Sequence, residues 1–234
     1  MDIKLYGVFH KPSPYIIKDW LQPVGVGGYN NEEFLLDNTG KNIAELNSNF
    51  CELTVQYWVR HNIKHDYVGF YHYRRYFDFT GGESVNHLPI ENQLDHCSSD
   101  DQLVSLQSIL KNYDAVMMSP YQAGDMSMTQ QYLQIHANEP WHDMIAMLRQ
   151  IGYTQDQIEY FDRTFRYGTC NMYVMPWQMF CDYTDQMFEI FLKLYEKHSE
   201  HPRCMGFLSE RFLDFWMETN HIKYFPAHHV RLDL

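Results

Sequence analysis

The chain has 234 residues, of which 45% are hydrophobic and 21% charged, enough to fill one large α/β core and too apolar for a disordered chain. A formal net charge of −12 excludes the broad basic face that duplex nucleic acid requires and opposes docking to anionic lipid by general electrostatics, so an anionic ligand has to be met by a local basic cluster. The cysteines (Cys51, Cys97, Cys170, Cys181 and Cys204) are odd in number and lack Cys-x-x-Cys spacing, which excludes a disulfide framework and a zinc ribbon and fits reduced thiols in a cytoplasmic protein.

In chain order, the apolar run over residues 3–9 is expected as a buried first strand that stops at His10-Lys11-Pro12, with no signal peptide ahead of it. Residues 22–31 form a glycine-rich loop without a dinucleotide fingerprint. Asn49 is a candidate N-cap, with Glu52 as its capping-box partner, for a helix running to about His61. A second strand over 66–71 ends in Tyr71-His72-Tyr73-Arg74-Arg75-Tyr76-Phe77, and a polar insert over 80–95 follows. Ser98 and Ser99 cap a helix to about Asn112, and 114–118 is a third strand. Helices are predicted over 128–136 and 140–151 (capped by Asn138), and Thr154 opens another with a capping box. A short strand over 171–175 precedes a long amphipathic helix over 176–198, a helix over 206–219 and a last strand over 222–225. Strands separated by helices predict a three-layer, mostly parallel α/β sheet in one domain over 1–234, with a nucleotide-binding crevice at its carboxyl edge.

His72, Arg74 and Arg75 directly follow an apolar strand in an acidic chain. Guanidinium forks match phosphate oxygens and keep their charge, so this cluster is a candidate site for a diphosphate leaving group; the alternative is one arginine paired at the edge of the core and the other solvated. No Asp-x-Asp stands at a strand end. Ser99-Asp100-Asp101 sits at a helix start, where acidic residues suit the dipole, and His228-His229 is the remaining metal candidate. Cys170 beside Asn171 has an apolar neighbourhood and reads as an inert buried thiol rather than a nucleophile. Glu210 could take a proton from an acceptor hydroxyl, pair with an arginine, or face water. The aromatic share of 16% suits sugar or base stacking and equally a tyrosine-rich core.

Several segments occur together in order: Tyr6-Gly7-Val8-Phe9-His10-Lys11-Pro12, Asn49-Phe50-Cys51-Glu52-Leu53-Thr54, Tyr67 through Phe77, Cys170-Asn171-Met172-Tyr173-Val174-Met175, and Gly206-Phe207-Leu208-Ser209-Glu210-Arg211. Over nearly its whole length the chain resembles a bacterial family, labelled a domain of unknown function, that occurs in capsular-polysaccharide and O-antigen gene clusters. The resemblance implies a glycosyltransferase of GT-A-like (Rossmann-type) architecture that uses a UDP-sugar, with UDP-galactose, pyranose or furanose, as the expected donor. The chain departs from the family pattern at 131–136, where two consecutive histidines are expected, a departure on the acceptor side.

On this reading, Phe9, His10, Lys11 and the glycine-rich segment hold the nucleoside, and His72, Arg74 and Arg75 neutralise the diphosphate. Asn171 and Arg211 shape the sugar and acceptor pocket, and Glu210 is the catalytic acid/base. No cofactor and no divalent metal are expected. The expected partners are the UDP-sugar and a glycan or lipid-linked glycan acceptor, with no nucleic acid and at most peripheral contact at the inner face of the membrane. The reading from another class is a non-catalytic subunit that binds a nucleotide-sugar or glycan within a polysaccharide assembly complex; a metal-dependent phosphoesterase lacks ligand-spaced His and Asp pairs.

Overall fold

Alternating side chains in the first apolar run pack on opposite faces of a sheet. Tyr6 and Val8 enter one hydrophobic cluster, while Ile3, Leu5 and Phe9 enter another. The same division recurs at Phe70 against Tyr71, Met117 against Val116, and Tyr173 against Val174, so both faces of the sheet are covered. A computed structural model describes residues 1–81, 84–122, 124–168 and 170–234.

The elements run β1 (Ile3–Phe9), β2 (Leu21–Gly25), β3 (Leu35–Leu36), α1 (Asn47–Phe50), α2 (Leu53–Asn62), β4 (Tyr67–His72), β5 (Arg75–Asp78), α3 (Ile90–Cys97), α4 (Asp100–Ile109), β6 (Ala115–Met118) and β7 (Tyr121–Gln122). They continue with α5 (Met128–Ile135), α6 (Asn138–Gln150), α7 (Gln155–Ile158), α8 (Tyr160–Arg163), β8 (Arg166–Tyr167), β9 (Tyr173–Pro176), α9 (Trp177–His198), α10 (Cys204–Thr219) and β10 (Tyr224–Arg231).

The main sheet has the order β3-β2-β1-β4-β5-β10-β6-β9, and β9 also pairs with β4, which closes the last five strands into a ring. β1 lies parallel to β2 and β4, β2 to β3, and β10 to β6. β5 is antiparallel to both β4 and β10, and β9 is antiparallel to β4 and β6. The mostly parallel sheet expected from the sequence is therefore corrected to a mixed one. The two-residue turn at Tyr73-Arg74 lets His72 pair with Arg75 and folds the basic cluster into an antiparallel hairpin, and β9 adds two further antiparallel pairings.

Other boundaries shift for local reasons. The first part of the expected glycine-rich loop is β2; the turn begins only after Gly25. The single helix expected from Asn49 is two, because Cys51 adopts φ 51°, ψ −127° and breaks the axis between α1 and α2. Asn49 caps nothing: its amide donates to the carbonyls of Ser199 and His201 at 3.0 and 2.9 Å. The N-cap of α6 is Ala137 rather than Asn138. Thr154 does form the expected capping box with Gln157. The polar insert expected over 80–95 includes residues 82 and 83, which lie outside the described residues, and its end is α3. The last strand extends to Arg231 because it is paired on both sides, by β5 and β6.

Candidate functional site

β1, β2 and β4 are parallel, so their carboxyl ends emerge side by side, the position where open α/β sheets bind ligands. A cavity of about 460 Å³ opens there. β1 supplies Val8 and, just past its end, His10; the turn after β2 supplies Val26; β4 and the hairpin supply His72, Tyr73, Arg74 and Arg75. The opposite wall is helical: Asn47, Ser48, Cys51 and Glu52 from the α1–α2 break, and Arg203, Gly206, Phe207 and Glu210 from the start of α10. Cys170 also lines it.

Three arginines thus face one space in an acidic protein. Among the described residues, Arg74, Arg75 and Arg203 have no carboxylate within 4.0 Å. The guanidinium of Arg74 lies 5.5 Å from the Tyr73 ring centroid, and that of Arg203 lies 4.9 Å from Phe207, so aromatic rings support both without neutralising them. Nε of Arg74 and Nε2 of His72 are buried with no hydrogen-bond partner among the described residues. Burial holds the pKa of His10 down, aided by Lys11, Arg203 and Arg74. Burial also holds His72 down, aided by Arg75 and Arg74, while Glu52 opposes the shift in both. Both imidazoles are therefore pushed toward the neutral form, and the permanent positive charge of the cavity belongs to the arginines.

The carboxylates sit on the helical wall. Glu52 Oε1 accepts from Nδ2 of the fully buried Asn171 at 2.7 Å and lies 3.8 Å from His72 Nε2. The same Asn171 amide donates to Ser209 Oγ at 2.8 Å, and Ser209 in turn donates to the Gly206 carbonyl at 2.8 Å. One asparagine therefore ties together three of the segments singled out in the sequence: the 49–54 stretch through Glu52, its own 170–175 stretch and the start of α10. Gly206 permits the approach, since a Cβ there would lie 3.2 Å from Cys51 Sγ. Burial raises Glu210 to about 8, against the pull of Arg211 and with a further push from Glu52. Burial and then Glu52 raise the Cys51 thiol to about 12, which excludes a thiolate nucleophile at this position near neutral pH.

Of the residues expected from the sequence, the structure brings His10, His72, Arg74, Arg75 and Glu210 to the cavity. Lys11, Asn171 and Arg211 are not among its walls. Lys11 is exposed, its ammonium 5.1 Å from the Tyr73 centroid. Asn171 lies behind Glu52. Arg211, 2% exposed, donates to Glu210 at 2.5 Å, to the Phe207 carbonyl and to Gln131 at 2.7 Å, so its donors are directed into the protein rather than at a ligand. Gln131 begins the stretch in which paired histidines were expected; His136, at its end, stacks on Phe207 at 4.1 Å. Sequence reasoning missed Glu52, assigned only to a capping box, and Arg203, whose left-handed backbone (φ 61°) just before α10 turns it to the cavity mouth. The available signal for both was proximity to the Asn49–Glu52 and Gly206–Arg211 motifs.

His228 and His229 are consecutive on β10 and project to opposite sides, so they do not form a joint metal site. Asp100 and Asp101 occupy the first turn of α4, away from the cavity walls. Among the described residues, His198, Glu200 and His201 place ligand atoms within 4.8 Å of one another, but none of them lines the cavity.

A second cavity, of about 390 Å³, adjoins the first across the 25–28 turn and is lined by Gly25, Gly27, Gly28, Tyr29, Asp37 and Asn38, among others. Gly27 and Gly28 have φ of 61° and 85°, which keeps this wall free of side chains.

The profile of the family described as "Domain of unknown function (DUF4422)" matches residues 4–221. The chain belongs to this family. Among curated proteins no match is found. A solved structure described as a WbbM bifunctional glycosyltransferase in its apo form superposes on this DUF4422 chain with a TM-score of 0.88 at 23% identity. The likeness covers 100% of this chain and 46% of the other, so the DUF4422 chain spans about half the length of that relative and shares the fold of that portion. Among the described residues, no helix is long and apolar enough to cross a membrane.

Proposed function

We propose that this DUF4422 domain is a glycosyltransferase that moves a hexose, galactose in pyranose or furanose form, from a UDP-sugar to a surface-polysaccharide acceptor. The observation that carries the proposal is the convergence of Arg74, Arg75 and Arg203 on one cavity at the carboxyl ends of three parallel strands, none of them ion-paired among the described residues. A buried unpartnered donor costs about 1–3 kcal/mol, and Arg74 Nε carries that cost until an oxygen-rich ligand offsets it. A diphosphate supplies such oxygens and, as the glycosidic bond breaks, gains the charge that the guanidinium groups stabilise. The glycine-walled second cavity is the proposed nucleoside seat, beside His10; the face toward Glu52, Glu210 and Phe207 takes the transferred sugar and the acceptor hydroxyl.

With arginines neutralising the leaving group and no Asp-x-Asp present, transfer is proposed to require no divalent ion. The kinship to a glycosyltransferase fold and the earlier resemblance to capsule and O-antigen proteins support the donor class, and the acceptor is proposed as a glycan or lipid-linked glycan met at the cytoplasmic face of the membrane. The test is release of UDP from a panel of UDP-sugars in the presence of lipid-linked and free glycan acceptors, with and without EDTA. Acceptor-dependent release of UDP that persists in EDTA is expected. Binding of UDP-sugar without release would favour a non-catalytic binding subunit, and activity restored to an EDTA-treated sample only by manganese would remove the metal-independent part.

A further inference from the structure

We propose that Glu52, at the break between α1 and α2, is the general base that takes the proton from the acceptor hydroxyl, and that Asn171 positions it. The inference deepens the transferase reading and rests on it.

Both carboxylates of the cavity could serve, and their partners separate them. Glu210 gives one oxygen to the guanidinium of its neighbour Arg211 at 2.5 Å, and burial holds its carboxyl up at about 8, so near neutral pH it is largely in the form that has already taken a proton. A carboxyl that is already protonated does not serve as the base, and the contact anchors Arg211, which in turn donates to the Phe207 carbonyl and to Gln131. Glu52 has no cation other than a histidine within 4.0 Å among the described residues. Its Oε1 is held by the amide of Asn171 at 2.7 Å and faced by His72 at 3.8 Å, while its Oε2 makes no hydrogen bond among the described residues. A base oriented through one oxygen by a buried neutral group, with its other oxygen open to the substrate space, is the arrangement general-base catalysis requires.

The surrounding structure is built to keep it there. Asn171 is fully buried and reaches Glu52 from 119 residues away in sequence; Ser209, also fully buried, fixes the amide of Asn171 from α10. The residue before Glu52, Cys51, holds φ 51° and ψ −127°, a backbone state that costs a non-glycine residue about 1–3 kcal/mol and that turns the chain so that Glu52 faces the cavity.

The step balances as follows. The acceptor O–H bond breaks and its proton passes to Glu52 Oε2. The oxygen's electron pair forms the bond to the anomeric carbon, and the bond from that carbon to the β-phosphate oxygen breaks, its pair leaving on the nucleoside diphosphate beside Arg74, Arg75 and Arg203. Configuration at the anomeric carbon inverts.

The experiment measures kcat for transfer, acceptor KM and UDP affinity in the wild-type chain, Glu52→Gln, Glu52→Asp, Glu210→Gln and Asn171→Ala. Glu52→Gln is expected to lower kcat by about 10²–10⁴-fold with UDP affinity within about threefold of wild type, and Glu210→Gln by less than about tenfold. Glu52→Asp, which keeps a carboxylate, is expected to retain more activity than Glu52→Gln, so a folding defect in the glutamine variant does not decide the matter. Asn171→Ala is expected to lower kcat by about tenfold or more while acceptor KM and UDP affinity stay within about threefold of wild type, because Glu52 loses the amide that orients it. A Glu52→Gln variant with near-normal kcat, a larger loss in Glu210→Gln, or an unchanged kcat in Asn171→Ala overturns the assignment while wild-type transfer leaves the transferase reading standing. Absence of transfer by the wild-type chain with every donor overturns both.

Discussion

Asp214 shows how a single residue couples the fold to pH. It is buried on α10, and its Oδ2 accepts from the Gly168 N–H at 2.7 Å. Burial raises it to about 7, with the Gly168 bond and Arg211 pulling the other way. A carboxyl group whose pKa is higher folded than unfolded stabilises the fold fully below its unfolded value near 4 and loses that contribution as pH rises through its folded value. Asp214→Asn keeps an acceptor for Gly168 and removes the titration. The variant is therefore expected to lose less melting temperature than wild type between pH 5 and pH 8, measured by thermal denaturation; equal losses would show that Asp214 does not titrate in this window. At the same scale, the sequence already exposed His10, His72, Arg74, Arg75 and Glu210, because side chains that follow an apolar strand or share a short motif are neighbours in the chain as well as in space. Glu52 and Arg203 escaped because the partners that give them meaning, Asn171 and Phe207, become visible only when β9 and α10 are packed against the α1–α2 break.

Among the elements, β1 and β4 are set against each other by an exchange of volume. Gly7 pairs with Tyr71, and a Cβ at Gly7 would lie 2.3 Å from the Tyr71 ring, which is itself buried. Gly7→Ala therefore requires the strand or the ring to move, and overpacking of this kind costs about 1–3 kcal/mol. Chemical denaturation should report a loss in that range, and a neutral result would mean that the β1–β4 contact is more yielding than its packing indicates. The long helices and the strands β1, β4, β6 and β9 were legible in the sequence, since apolar periodicity and capping residues are local. Strand direction was not. The antiparallel β5 is only four residues long and hidden within a basic cluster, and β10 carries Pro226, His228 and His229, whose place in the sheet depends on pairing with β5 on one side and β6 on the other. The break at Cys51 was hidden too, because a backbone reversal at a non-glycine residue leaves no mark on hydrophobic spacing.

For the molecule as a whole, a net charge of −12 surrounds a cavity whose arginines are not neutralised by near carboxylates among the described residues. General electrostatics repels anions, so binding has to come from short-range, charge-assisted hydrogen bonds, each worth about 1.5–3 kcal/mol. Loss of two such bonds corresponds to about a hundredfold or more in affinity. The most direct measurement is calorimetric titration of UDP into the wild-type chain and into the Arg74→Ala/Arg75→Ala double variant, with melting curves to confirm that both are folded. Saturable binding by wild type and at least a hundredfold weaker binding by the variant, at similar melting temperatures, is the expected result. A wild-type chain that ignores UDP, or a double variant that binds it as tightly, would contradict the assignment of this cavity to a nucleoside diphosphate.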